Sequence, residues 1–139
     1  MNYISKVTDE IYVGPRLEKI DPQVFSKLKI KSILNLTGHN IEGEIWCQVS
    51  DGNTRQDQLH QAVYILRDLI KLNLSPVYVH CVVGRNRSPL VIATYLTLYG
   101  GFKNLTQALL FVKDKHPKTN PFSNNIHTAD VYLRTGMDK

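Results

Sequence analysis

Cys81 and Arg87 stand six positions apart in the run His80-Cys81-Val82-Val83-Gly84-Arg85-Asn86-Arg87-Ser88, and that pairing can hold a phosphate and attack it. A cysteine is a nucleophile as its thiolate, a form that a helix N-terminus and a nearby arginine both favour. Arg87 offers a planar fork that takes two phosphate oxygens and the extra charge of a transition state. Gly84 admits a backbone angle that a β-carbon resists and lets the chain approach a ligand closely. Ser88 can donate a hydrogen bond to the Cys81 sulfur and ease its departure from phosphorus. His80 is suited to order the loop by bonding its backbone. The amides of Val82, Val83, Gly84, Arg85 and Asn86, with the Arg87 fork, are the expected phosphate-binding groups. A lone cysteine at a strand end is more often a small buried hydrophobe. That alternative leaves two arginines, a glycine and a Ser-Pro helix start unexplained.

Two elements must hold the loop. Val77 to Val79 is short, β-branched and aromatic, with Pro76 before it, and reads as a buried strand. Pro89 to Tyr99 is long and apolar, with the proline in its first turn and Gly100-Gly101 as a stop, and reads as a buried helix. A helix start presents free N–H donors and partial positive charge, which suits an anion.

Elsewhere the elements alternate as in an α/β fold. Strands are expected at Glu10 to Val13, Ser32 to Leu36 and Ile45 to Val49. Asp21 caps a short helix with Pro22 in its first position. Leu59, Ala62, Val63, Leu66 and Ile70 mark an amphipathic helix over Gln56 to Leu72. Asn104 and Gln107 have capping-box spacing before Leu105, Ala108, Leu109 and Val112, and a last helix is expected from near Phe122 to Leu133.

The loop His80-Cys81-x5-Arg87-Ser88 resembles that of the cysteine-dependent protein tyrosine phosphatase superfamily, and the chain is similar to its small dual-specificity branch. Ile4 to Gly14 resembles that family's opening strand, and Ile30 to Leu36 its next core strand. The resemblance implies a single domain over residues 1–139, with a central twisted, mostly parallel sheet flanked by helices. It implies a phosphatase acting on phosphotyrosine, and on phosphoserine and phosphothreonine, through a phosphocysteine. It also implies a general acid about thirty residues before the cysteine, which falls on Asp51, beside Gly52 in a loop expected to move. Asp57 is the rival, although its place in the first turn of a helix suits the helix dipole. An asparagine that braces the loop from behind has three candidates, Asn120, Asn124 and Asn125. Some relatives shield the thiolate with a neighbouring cysteine, a part that Cys47 could play, although a buried strand residue is the commoner fate.

At 139 residues the chain suffices for one core without disulfides or metal. Its apolar fraction of 42% and charged fraction of 21% are those of ordinary globular domains. No apolar run approaches the roughly twenty residues of a membrane span, and the start, Met1 to Lys6, lacks a secretory layout. Two cysteines give no disulfide framework or metal-ligand spacing, so a reducing, cytoplasmic setting, no cofactor and a monomer are expected. The net charge of +5 steers anionic partners. Lys27, Lys29 and Lys31 form one basic cluster and Lys113, Lys115, His116 and Lys118 another, both most simply solvated surface. A phosphorylated protein is the favoured substrate. Triphosphate ends of RNA and phosphoinositides are alternatives, as is phosphate binding without catalysis. The absence of an aromatic–basic platform weighs against nucleic acid, and in the resemblance Val82, where lipid-cleaving relatives carry lysine, weighs against an inositol headgroup despite Arg85.

Overall fold

The computed structural model describes residues 4–136. Residues 1–3, the first part of the N-terminal start read above, and 137–139 lie outside the described residues. Five strands, β1 (Ser5–Thr8), β2 (Ile11–Gly14), β3 (Ser32–Asn35), β4 (Ile45–Trp46) and β5 (Val77–His80), form one sheet among the described residues. Their order is β1-β2-β5-β3-β4, antiparallel between β1 and β2 and parallel at every other pairing. The helices are α1 (Pro22–Ser26), α2 (Gln56–Lys71), α3 (Arg87–Tyr99), α4 (Leu105–Lys115) and α5 (Ser123–Thr135).

β5 is central and buried along its whole length, as expected of a strand paired and covered on both faces. Successive side chains of a strand point to opposite faces. Val77 and Val79 join the core shared with the long helices, whereas Tyr78 sets its ring edge-on against Phe25 of α1, 5.2 Å between centroids. In register, Gly14 and Asn35 flank His80, so three parallel strands end at one level. Cys81 follows at that carboxyl edge, where open parallel sheets present their ligand sites.

α3 lies at the centre of the helical layer, and Arg87 to Leu96 are all buried. Around it pack Leu59, Ala62, Val63 and Leu66 of α2, Ala108 and Val112 of α4, and Ala129 and Tyr132 of α5. Local signals act as their chemistry directs. The Asp21 side chain accepts from the Gln23 amide at 2.9 Å, and Asn104 accepts from the Gln107 amide at 2.9 Å.

The elements differ in detail from the sequence reading, α3 for one beginning at Arg87, two residues before Pro89. The first strand is a hairpin, β1 turning at Asp9 and Glu10 into β2. β4 stops at Trp46, although the Cys47 and Val49 amides still bond Asn35 and Leu36. In α2, Leu69 is the buried residue and Ile70 only partly so, because the apolar stripe drifts around a helix of 3.6 residues per turn.

Leu90 is fully buried in the first turns of α3. Leu90→Ala is expected to lower unfolding stability by about 3 kcal/mol, read from urea denaturation.

Candidate active site

The loop from Cys81 to Asn86 leaves β5 and enters α3. Cys81 is buried, with its Sγ 3.0 Å from the buried Ser88 Oγ. Among the described residues, the amides of Val82 through Asn86 donate to no carbonyl or side chain. Gly84 has φ of +75°, and a Cβ there would sit 3.0 Å from the Gly14 carbonyl carbon and oxygen. The position therefore requires glycine both for its backbone angle and for close packing on β2.

Carbonyls of the loop are bonded from other parts of the chain. His80 Nδ1 lies 3.1 Å from the Cys81 oxygen, and the Arg16 amide reaches Val82 O at 3.4 Å. The His116 Nε2 is 2.7 Å from Gly84 O, and the Asn120 amide donates to Arg85 O at 2.7 Å. His80 is pinned from its other side as well, with Nε2 2.7 Å from Oε1 of the buried Glu44.

Arg87 is held by its donors. Nη1 donates to the carbonyls of Leu36 and Val49 at 3.4 and 3.3 Å. Its Nε lies 3.3 Å from Asp51 Oδ1, an ion pair whose N–H is not aligned for a hydrogen bond, so a buried guanidinium donor has no bonded acceptor. Asp51 itself is 58% exposed in its side chain. Asn86 Nδ2 donates to its backbone oxygen at 2.9 Å and to Oδ1 at 2.8 Å. Asp57 lies apart from this group. Arg55 chelates it at 2.9 and 2.7 Å on the exposed first turn of α2, and that bond holds its carboxyl below the ordinary carboxylate range.

The three candidate asparagines divide. Asn125, fully buried, donates to Asp51 O at 2.7 Å and accepts from the Thr54 amide at 3.0 Å. Asn124 donates to Gly52 O at 2.7 Å, and Asn120 braces the loop through its backbone amide. The segment around Asp51, expected to be mobile, is tied at several points, including Ser50 N to Gln58 Oε1 at 3.0 Å. A β-carbon on Gly52 would meet nothing within 4 Å.

Glu44 and His116 carry site contacts that sequence reasoning missed. His116 was grouped with surface cations, yet it is 1% exposed. Its Nδ1 lies 2.6 Å from Ser5 Oγ. A neutral ring protonated on Nε2 satisfies both contacts, accepting from the serine and donating to Gly84 O. Burial pushes the His116 pKa below the ordinary value, the Gly84 bond opposes that, and the Lys118 charge adds to it. Among the described residues, no group of three His, Cys, Asp or Glu side chains comes together as metal ligands, and no helix is long and apolar enough to cross a membrane.

The sequence matches the family model for the dual specificity phosphatase catalytic domain over residues 11–132. The chain belongs to that family. It falls within the cysteine-dependent phosphatase superfamily, and its fold is the dual-specificity phosphatase fold. Human DUSP28 is 16% identical, with TM-score 0.80, over 95% of this chain and 93% of that one. DUSP15 is 16% identical, with TM-score 0.78, over 95% and 88%. PTPMT1 in complex with PI(5)P is 14% identical, with TM-score 0.80, over 95% of both chains. At such identities these structures share the fold alone. A comparison with curated protein sequences gives no match.

Within this phosphatase domain both cysteines are free thiols. Burial pushes the Cys47 thiol up to about 11, so Cys47 is not poised to attack an oxidised Cys81 at neutral pH. In the native protein Cys47 is expected to resist iodoacetamide at pH 8 and to react fully in denaturant, by peptide mass spectrometry.

His116 gives a pH signature. The unfolded chain takes up a proton at the ordinary value of 6.5 and the folded chain only at lower pH. The contribution of the neutral ring to stability is therefore whole above 6.5 and declines as pH falls below it. Urea titrations at pH 7 and pH 5 are expected to show a smaller acid loss in His116→Gln than in the wild type.

Proposed function

We propose that this phosphatase domain hydrolyses phosphotyrosine, and phosphoserine and phosphothreonine, in proteins through a phosphocysteine on Cys81, with Asp51 as general acid and base. The observation that carries this reading is the Cys81 Sγ–Ser88 Oγ contact of 3.0 Å in a loop whose amides are uncommitted, with Arg87 and Asp51 at its mouth. A phosphate dianion takes its oxygens to those amides and to the Arg87 fork. It replaces Asp51 as the counterion of Arg87 and leaves that carboxyl to carry the proton the leaving oxygen needs.

The reaction balances in two steps. The Cys81 thiolate forms an S–P bond as the P–O bond to the alcohol or phenol breaks, and Asp51 gives its proton to the departing oxygen. Water then loses a proton to Asp51 and forms a new O–P bond. The S–P bond breaks, and the returning thiolate accepts a hydrogen bond from Ser88. Arg87 and the loop amides hold the three equatorial oxygens throughout. Beside the loop is a cleft of about 200 Å³ lined by Asp51, Val83, Arg85, Asn86, Asn120 and Phe122. Val83 and Phe122 are both exposed apolar side chains suited to flank a phenol or a short aliphatic linker.

Cys81→Ser is expected to abolish turnover of p-nitrophenyl phosphate without lowering Tm. Asp51→Asn is expected to slow phenyl phosphate hydrolysis by roughly 10²–10⁴-fold, and to matter less as the leaving group becomes more acidic. Turnover by Cys81→Ser, or an Asp51→Asn loss that ignores the leaving group, contradicts the mechanism.

A further inference from the structure

Asn86 stands at the N-cap of α3, with a side chain of the type that ordinarily accepts from a first-turn amide. It makes no such bond. The side chain turns instead to Asp51, where Nδ2 donates to the backbone oxygen at 2.9 Å and to Oδ1 at 2.8 Å. Its orientation is fixed from the other end, because the Asn86 Oδ1 accepts from the Phe122 amide at 3.0 Å and from Asn125 Nδ2 at 3.4 Å. Asn86 is 6% exposed, so a flipped amide would set one donor against another where little water can intervene.

These bonds distinguish the two carboxyl oxygens of Asp51. Oδ1 takes the Asn86 amide and lies 3.3 Å from Arg87 Nε. Among the described residues no hydrogen bond reaches Oδ2. A neutral carboxyl carries its proton on one oxygen. On Oδ1 that proton would compete with the Nδ2 donor, whereas Oδ2 holds it freely, on a side chain that is 58% exposed. Substrate changes the forces on this carboxyl as well. A phosphate that takes the Arg87 fork removes the ion pair, and the Asn86 bond is then the side-chain contact that keeps Asp51 beside the Cys81 loop.

We infer that Asn86 is a positioning residue for the proton transfers of this site, holding Asp51 by Oδ1 and thereby assigning the travelling proton to Oδ2. The inference rests on the proposed phosphatase reaction, with Asp51 as acid and base. In the first step Oδ2 gives its proton to the leaving oxygen as the P–O bond breaks and the S–P bond forms. In the second it takes a proton from the water that forms the new O–P bond as the thiolate departs. Asn86 exchanges no proton in either step. It acts through geometry, which matters most where a proton must reach a poor leaving group. The loop that binds the phosphate thus also places the acid.

The test measures kcat/KM for p-nitrophenyl phosphate, whose leaving group departs without a proton, and for phenyl phosphate, whose leaving group needs one. Asn86→Ala is expected to lose roughly 10²-fold on phenyl phosphate and less than about threefold on p-nitrophenyl phosphate. Asn86→Asp keeps the acceptor for Phe122 and sets a carboxylate against Asp51. It is expected to show the same split, and it carries the test if Asn86→Ala does not fold. Adding Asn86→Ala to Asp51→Asn is expected to slow phenyl phosphate hydrolysis no further, since effects routed through one group do not add. Equal losses on both substrates in a folded variant, or no loss on either, overturn the positioning role and leave the phosphatase reading standing. A further loss in the double variant does the same. Wild-type turnover of phenyl phosphate by Asp51→Asn overturns the assignment of the acid, and the inference with it.

Discussion

A loop that turns its amides toward an anion must turn its carbonyls away, and those carbonyls need donors of their own. That requirement organises this protein. His80, Arg16, His116 and Asn120 each bond a different carbonyl between Cys81 and Arg85. They come from the central strand, the segment after β2, the end of α4 and the approach to α5. Distant parts of the chain thus converge on six residues, and the positive φ of Gly84 against Gly14 fits the loop into the space they leave.

The segment around Asp51 depends on a second polar node. Asn86 and Asn125 both bond the Asp51 backbone oxygen, and Asn86 also accepts from the Phe122 amide at 3.0 Å. One amide side chain inside the Cys81 loop therefore connects the Asp51 segment with the start of α5. Fully bonded networks of this kind fix one arrangement in low-dielectric surroundings. The Asp51 carboxyl lies 3.3 Å from Arg87 Nε in this arrangement.

What could be read in the sequence follows from how local each signal is. β5, its loop and α3 are contiguous, and strand, turn and helix start are each written in a few neighbouring residues. The caps Asp21 and Asn104 act within three positions of themselves, and both were legible. Glu44 was not, because it is a single carboxylate in a polar turn, 36 positions from the histidine it bonds. His116 carried a misleading signal, since flanking lysines made it look like surface charge while its partners Ser5 and Gly84 lie 111 and 32 positions away. Choosing among Asn120, Asn124 and Asn125 needed the register of α5 against the Asp51 segment, which no short pattern encodes. β1 was merged with β2 because the hairpin turn at Asp9 and Glu10 lacks glycine.

The central claim is that phosphate passes through Cys81. Rapid acid quench of Asp51→Asn protein with p-nitrophenyl phosphate tests it, because that leaving group departs without a proton and the variant lacks the base for the second step. The account predicts that the peptide containing Cys81 gains the mass of one phosphoryl group as p-nitrophenolate is released in a burst. Steady release with Cys81 unmodified, or the phosphoryl group on another residue, would contradict it.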